Sequence, residues 1–291
     1  MTRILLTGKT GQVGYELERS LQGLGEIIAL DRSQMDLANL DQVRDVIRSV
    51  KPNLIINPAA YTAVDKAESE PDLAMCINGE APGVMAEEAK KLGAAMIHYS
   101  TDYVFDGTKA IPYTENDPTC PINVYGNTKL VGEQLIQATG IPHLILRTSW
   151  VYGMRGKNFL LTVLRQAQES NELRIVSDQH GAPTWCRTIA DTTAHIVAQS
   201  RNAPPATDWW QERSGLYHLT AQGQTTRYGF AQAILEHPSI AKKPVVTPIA
   251  THEYPLAAGR PANSKLSCDL LMNTFCSLPE WGNALRLCQQ Q

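Results

Sequence analysis

The run Ile4-Leu5-Leu6-Thr7-Gly8-Lys9-Thr10-Gly11-Gln12-Val13-Gly14 decides how this chain folds. Its three apolar residues predict a short buried strand. The glycines that follow fall as G-x-x-G-x-x-G, and Val13, Leu17 and Leu21 recur at i, i+4 and i+8, which predicts an amphipathic helix. Glycine is needed where a backbone turns tightly and approaches a pyrophosphate. The start of the helix presents unpaired N–H groups to that anion. Glycine patterns also occur in turns that bind nothing, so the strand–loop–helix context carries the weight. Gly8, Gly11 and Gly14 are the first candidate cofactor contacts.

The same alternation continues outward. Apolar runs at Ile27–Leu30, Leu54–Asn57, Ala94–Ser100 and Leu144–Leu146 predict four more buried strands. Between them, Leu40, Val43, Ile47 and Val50 mark a helix that stops near Pro52. Pro71 and Gly93 bracket another, and Val124 to Ala138 reads as a third. Continuously apolar strands alternating with helices imply a parallel sheet covered on both faces. The fold class is therefore α/β, a Rossmann-type doubly wound sheet. After Trp150 the order becomes irregular, with Gly/Pro-rich stretches such as Asp178–Thr184 and Gly259–Ser264. The chain should divide into 1–150, a dinucleotide-binding domain, and 151–291, mainly a smaller loop-rich substrate lobe of which part returns to the first. Residues 201–214, with Pro204-Pro205 and Trp209-Trp210, read as a surface excursion.

Composition narrows the function classes. The chain has 291 residues, is 43% hydrophobic and carries a formal net charge of -3. No basic surface for nucleic acid or membrane is indicated. No window approaches the ~18 apolar residues of a membrane span. The first strand is expected within the opening residues, so no signal peptide is expected. The six cysteines include no C-x-x-C pair, so thiols in a reducing cytoplasm are expected rather than a disulfide framework or zinc site. No metal ligands are assigned.

Two positions at the second strand's end bear on the cofactor. An acid there, Asp31, can bond the adenosine ribose hydroxyls, which favours NADH. Arg32 follows at once and can meet a 2′-phosphate, which favours NADPH. Both cofactors stay open.

Chemistry is suggested by Tyr125-Gly-Asn-Thr-Lys129. Residues i and i+4 share a helix face, so phenol and ammonium project into one space. A free tyrosine titrates near pH 10, and a neighbouring cation lowers that value toward a usable acid/base. Ser100-Thr101-Asp102 stands at the end of the fourth strand, the edge where open α/β sheets bind ligands. A hydroxyl there can hold a substrate carbonyl oxygen. In the C-terminal third, Arg260-Pro-Ala-Asn-Ser-Lys265 is a basic stretch in an acidic protein. Arginine grips phosphate oxygens with a bidentate fork, so Arg260 is the candidate for a substrate diphosphate.

Taken together, these motifs resemble the extended short-chain dehydrogenase/reductases, and more narrowly the dTDP-4-dehydrorhamnose reductase family. The likeness runs over nearly the whole chain, through Gly8–Gly14, Ala60–Glu68, His98–Gly107, Asn123–Lys129, Arg147–Tyr152, Asp178–Thr184 and Arg260–Ser264. It implies reduction by NADPH or NADH of the 4-keto group of a dTDP-linked deoxysugar, in the biosynthesis of dTDP-rhamnose for surface polysaccharide. By position it implies Thr101, Tyr125 and Lys129 as the catalytic set, with Tyr125 and Lys129 also touching the cofactor. Asp102 and Trp150 would contact the sugar nucleotide. Gly11, Gln12, Val13, Asp31 and the loop Ala60-Tyr61-Thr62 would contact the cofactor, with Asp36 and Leu37 against its adenine. Pro58 and Tyr61 depart from the family's usual loop, which reads Asn-Ala-Ala-Ala-His or similar. Some relatives hold magnesium with glutamates at a homodimer contact. Glu16 keeps one such position, but Arg187 occupies the place of another and would repel a cation, which argues against magnesium dependence.

Rival readings make different demands. A 4,6-dehydratase usually reads Thr-Asp-Glu at the strand end, whereas this chain reads Thr101-Asp102-Tyr103. An epimerase can use the same Thr/Tyr/Lys set. A non-catalytic regulatory subunit, like the methionine adenosyltransferase beta subunit, can retain the same residues without turnover.

Overall fold

The computed structural model describes residues 2–204 and 208–290. Six strands form one parallel sheet: β1 (Arg3–Leu6), β2 (Glu26–Ala29), β3 (Leu54–Asn57), β4 (Ala95–Thr101), β5 (His143–Thr148) and β6 (Gly215–His218). Their order is β6-β5-β4-β3-β1-β2. The chain leaves β1 toward β2 on one side and returns to β3 on the other, so the order reverses between β1 and β3. Loops diverge at such a point and open a crevice beyond the carboxyl ends of the strands. The expected α/β class with a doubly wound parallel sheet is the fold observed.

Eight main helices accompany the sheet: α1 (Gln12–Ser20), α2 (Leu40–Val50), α3 (Ala81–Leu92), α4 (Val124–Thr139), α5 (Phe159–Glu169), α6 (Cys186–Arg201), α7 (Arg227–Glu236) and α8 (Trp281–Cys288). Successive strand residues point to opposite faces. Ile4, Leu6, Ile56 and Leu146 meet Leu17 of α1, Leu21 at its C-cap, and Ile189 and Val197 of α6. Leu5, Ile55, Met96 and Ile145 meet Val43 and Ile47 of α2, Met85 of α3 and Ile136 of α4. Each of these side chains is completely or almost completely buried and gains about 1.5–3 kcal/mol from leaving water.

The helix expected between Pro71 and Gly93 is one helical run with a defect. It reads Pro71–Met75, a π-helical turn Cys76–Glu80, then α3. Pro82 has no N–H to return to the Asn78 carbonyl, so the regular ladder is interrupted there. The freed Asn78 carbonyl lies so near Gly132 of α4 that a Cβ at 132 would stand 2.3 Å from it.

A third core lies outside the sheet. Leu160 and Val163 of α5, Phe230 and Ile234 of α7, and Leu285 of α8 gather round Tyr152. The parallel pair Glu172–Val176 and Val245–Ile249 completes this lobe. Both α6 and β6 belong instead to the sheet's own layers. In the expected excursion at 201–214, residues 205–207 lie outside the described residues. Trp209, read as surface, is 7% exposed and joins the core beside the sheet. Its ring packs against Trp210 and Phe275, and burying so large an apolar area outweighs the polar flanks.

Candidate active site

The glycine loop links β1 to α1 at the switch point. A Cβ at Gly14 would stand 2.1 Å from the Gly8 carbonyl, and a Cβ at Gly8 would meet Ala59 after β3 at 3.0 Å. Any side chain would push the loop off its neighbours. Gly11 caps α1 without a side-chain hydrogen bond, and no acid occupies the first turn. The N–H groups of Gln12 and Val13 therefore open an electropositive helix end, which suits a pyrophosphate.

At the adenosine end, Asp31 accepts hydrogen bonds from the Ser33 N–H (2.9 Å) and hydroxyl (2.6 Å). These bonds hold its carboxyl below the ordinary range. The Lys9 ammonium stands 3.6 Å from Asp31, a cation of the glycine loop that pattern reading passed over. Arg32 leans on Asp36 at 3.4 Å and is mostly exposed. The Leu37 side chain is 6% exposed and packs in the core cluster that holds Leu5 of β1. The loop after β3 is held by Asn78, which accepts from the Tyr61 N–H (2.8 Å) and donates to the Tyr61 carbonyl (3.0 Å) and the Thr128 hydroxyl (3.2 Å). Ala60 and Thr62 flank that clamp. Asn78 carries no sequence signal, because its role depends on the π-helical turn.

Thr101 and Asp102 lie at the carboxyl end of β4, both buried. The Thr101 hydroxyl donates to Asp102 Oδ1 at 3.0 Å and faces the Tyr125 phenol. Asp102 Oδ2 is buried with no hydrogen-bond partner among the described residues. Burial pushes the Asp102 carboxyl up to about 6, against the hydroxyls of Ser264 and Thr101. Tyr125 stands on the first turn of α4, edge-on to Tyr103 at 5.8 Å. Burial raises its phenol above the ordinary value, opposed by the Thr101 hydrogen bond. Tyr125 is thus held in its protonated form.

Lys129 requires a correction. It shares the helix face of Tyr125, but its amine is anchored elsewhere, at 3.0 Å from His98 Nε2 and donating to the Tyr99 carbonyl at 2.6 Å. Both groups lie on β4. Burial lowers the amine to about 7. Helical spacing placed the residue, while the strand beneath chose the direction of its four-carbon arm.

Beside these residues a cavity of about 970 Å³ opens between sheet and lobe. Thr62, Asp65, Tyr103, Asn158, Arg227 and Arg260 are among its walls, and Tyr103 joins it to Tyr125. Arg260, the candidate for a substrate diphosphate, lies on this wall, and its guanidinium donates to Asp65 at 2.8 Å and to the Ala258 carbonyl at 2.8 Å. Arg227, unnoticed in the sequence, is a second arginine of the cavity wall. It lies 3.7 Å over the Trp150 ring and faces Asp102 and Tyr103. Trp150 has φ 47°, a left-handed conformation that is costly for a tryptophan. Its indole presses on Gly181 so closely that a Cβ there would stand 2.6 Å away.

Glu16 borders a small cleft with Gln12, Tyr15 and Arg155. Arg187 lies on α6, 3.6 Å from Asp191. Among the described residues, no three His, Cys, Asp or Glu side chains are grouped to hold a metal.

A dinucleotide-type loop at the switch point, with a strand-end threonine facing a helical tyrosine, is the arrangement of the extended short-chain dehydrogenase/reductase class. The RmlD substrate binding domain family model matches residues 1–291. The chain belongs to that family. It is 49% identical to a dTDP-4-dehydrorhamnose reductase of Burkholderia thailandensis over 98% of this chain and 97% of that protein. It is 45% identical to the enzyme of the same name from Escherichia coli K12, over 96% and 94%. A crystal structure of dTDP-4-dehydrorhamnose reductase from Bacillus anthracis in complex with NADP superposes with TM-score 0.90 at 33% identity, covering 100% and 99% of the two chains.

Proposed function

We propose that this protein reduces the 4-keto group of dTDP-4-dehydro-L-rhamnose to give dTDP-L-rhamnose. NADPH or NADH, when bound, supplies the hydride. The reading rests above all on the Tyr125 phenol and Thr101 hydroxyl facing each other at the end of β4, beside the cavity.

Each residue then has a task. The Thr101 hydroxyl turns from Asp102 Oδ1 to donate to the carbonyl oxygen, and Tyr125 gives that oxygen a proton as charge develops there. Because burial keeps Tyr125 protonated, it begins the reaction as an acid. The Lys129 amine has a further N–H beyond its two bonds to β4, and this N–H steadies the phenolate left behind. Asp102, through its free Oδ2, takes a hexose hydroxyl against the Trp150 wall. Arg227, with Arg260 beside it, holds the substrate diphosphate. Residues 1–150 supply most of the cofactor site and 151–291 most of the sugar site. No helix among the described residues is long and apolar enough to cross a membrane. The cysteines without a C-x-x-C pair support a reducing cytoplasm as the enzyme's place, and a homodimer rests on the family resemblance alone.

The deciding experiment mixes purified protein, NADPH and dTDP-4-dehydro-L-rhamnose. One NADPH oxidised per dTDP-L-rhamnose formed is expected. Cofactor binding without turnover would make the protein a regulatory subunit. A sugar changed in configuration with no cofactor consumed would make it an epimerase.

A further inference from the structure

Behind the catalytic helix runs a buried polar line that the reaction as described does not use. The Thr7 hydroxyl, at the end of β1, donates to Asn57 Oδ1 at 2.6 Å. Asn57 Nδ2, at the end of β3, lies 3.1 Å from His98 Nδ1. His98 Nε2, on β4, lies 3.0 Å from the Lys129 amine. Asn57 and His98 are register partners on adjacent strands, so their contact follows from strand pairing. Asn57 and His98 are fully buried, Thr7 is 2% exposed and Lys129 1%.

Such a line is costly unless every member is satisfied. A hydrophobic pair at 57 and 98 would fill the same space between strands without that cost. The polar residues face one another across three strands and end on the lysine one helical turn from Tyr125. We propose that His98 is a positioning residue for Lys129. Its Nε2 holds the amine against β4, and Asn57 and Thr7 hold the imidazole in turn. This rests on the reading of Lys129 as a catalytic residue.

The geometry explains why a histidine suits the position. The amine makes two bonds to β4, one to the rigid Tyr99 carbonyl and one to the imidazole. Together they fix the end of a long, flexible arm, and with it the direction of the remaining N–H. Burial and the lysine's charge both push the His98 pKa well below its ordinary value, so the ring stays neutral; its Nδ1 accepts from Asn57 Nδ2, which leaves the proton on Nε2 to donate to the nitrogen of the uncharged amine. The charged groups around Lys129 are few. Glu133, one turn further along α4, is bound by Arg147 of β5 and by the Ser100 hydroxyl of β4. The line begins next to Gly8 in the cofactor loop, so the loop and the catalytic helix share one set of braces.

Two substitutions separate positioning from packing. In H98Q the amide reaches the place of Nε2 and keeps the bond to Lys129. In H98N the amide reaches only the place of Nδ1 and keeps the bond to Asn57. If His98 positions Lys129, single-turnover hydride transfer falls about 10–100-fold in H98N, the scale expected when a buried group loses its partner. H98Q should stay within about threefold of wild type, and the sugar-nucleotide KM should hardly move in either. A merely structural histidine, needed to satisfy Asn57, predicts the reverse order. Equal rates in H98N and wild type, or an H98Q as slow as H98N, would overturn the proposal. K129M is measured alongside: full activity there would instead sink the catalytic reading of Lys129. A readout free of turnover is 15N-histidine NMR of the protein without cofactor. The His98 nitrogen signals should shift on Lys129→Met, and unchanged signals would overturn the proposal even if H98N does not fold.

Discussion

The Arg260 guanidinium donates to the Asp65 carboxylate at 2.8 Å, tying the C-terminal segment to the loop that follows β3. The arginine side chain is 13% exposed at this contact. Arg227 makes no ion pair of that kind among the described residues and lies over Trp150. Two arginines thus share one cavity with different duties. Arg227→Ala should raise the sugar-nucleotide KM about 10–150-fold, the worth of a charge-assisted hydrogen bond of about 1.5–3 kcal/mol. Arg260→Ala should raise it less and lower Tm, because it frees the segment. Steady-state kinetics and a thermal melt on both variants check this. A larger KM effect in R260A than in R227A would reverse the assignment.

Tyr125→Phe keeps the ring against Tyr103 and removes the phenol facing Thr101. Loss of a general acid typically costs 10²–10⁴-fold, so kcat should fall by about that factor. The cofactor Kd should stay within about threefold. Near-normal kcat would remove Tyr125 from the mechanism.

Lys9 and Arg32 flank Asp31 from the glycine loop and the strand end. A 2′-phosphate placed there would meet both cations. R32A and K9A should each weaken NADPH more than NADH, by about 3–10-fold in the ratio of Kd values, the worth of a partly screened ion pair of about 1 kcal/mol. Fluorescence titration with both cofactors reads the ratio. An equal loss for both would show that neither cation reads the phosphate.

Glu88 of α3 is bound by Arg48 of α2 and by Lys91, at 2.8 and 2.6 Å. The Arg48 hydrogen bonds lower its carboxyl to about 2. A folded-state pKa below the unfolded value contributes stability above the unfolded value of about 4.5 and loses it as pH falls toward 2. Arg48 is half exposed, which reduces the gain, so E88Q should cost about 2 kcal/mol at pH 7. Urea unfolding at pH 7 and at pH 3 tests the sign. The gap between E88Q and wild type must shrink at the lower pH, and a gap that stays constant would mean the carboxylate's charge contributes nothing.

Much of this was readable before any coordinates. Apolar runs three to seven residues long, spaced by helical periods, place five strands and the helices between them, because burial on both faces leaves a periodic trace in the chain. The glycine loop and the Thr101/Tyr125 pair are legible for a similar reason. Each depends on a backbone feature, a tight turn or a strand end, that the local sequence itself creates.

By itself, then, the sequence determined five of the sheet's six strands, the loop between the first of them and its helix, and the helix face shared by Tyr125 and Lys129. The tertiary structure alone decided where the long side chains go. Lys129 turns to His98 and Tyr99, Arg260 turns to Asp65, and Arg227 comes to the Trp150 ring. Spacing along a helix sets the direction of a Cβ. Lysine and arginine carry several further rotatable bonds, and their ends settle on acceptors or rings supplied by segments 30 to 195 residues away. No local pattern records those partners, because they exist only once strands and lobe are packed together.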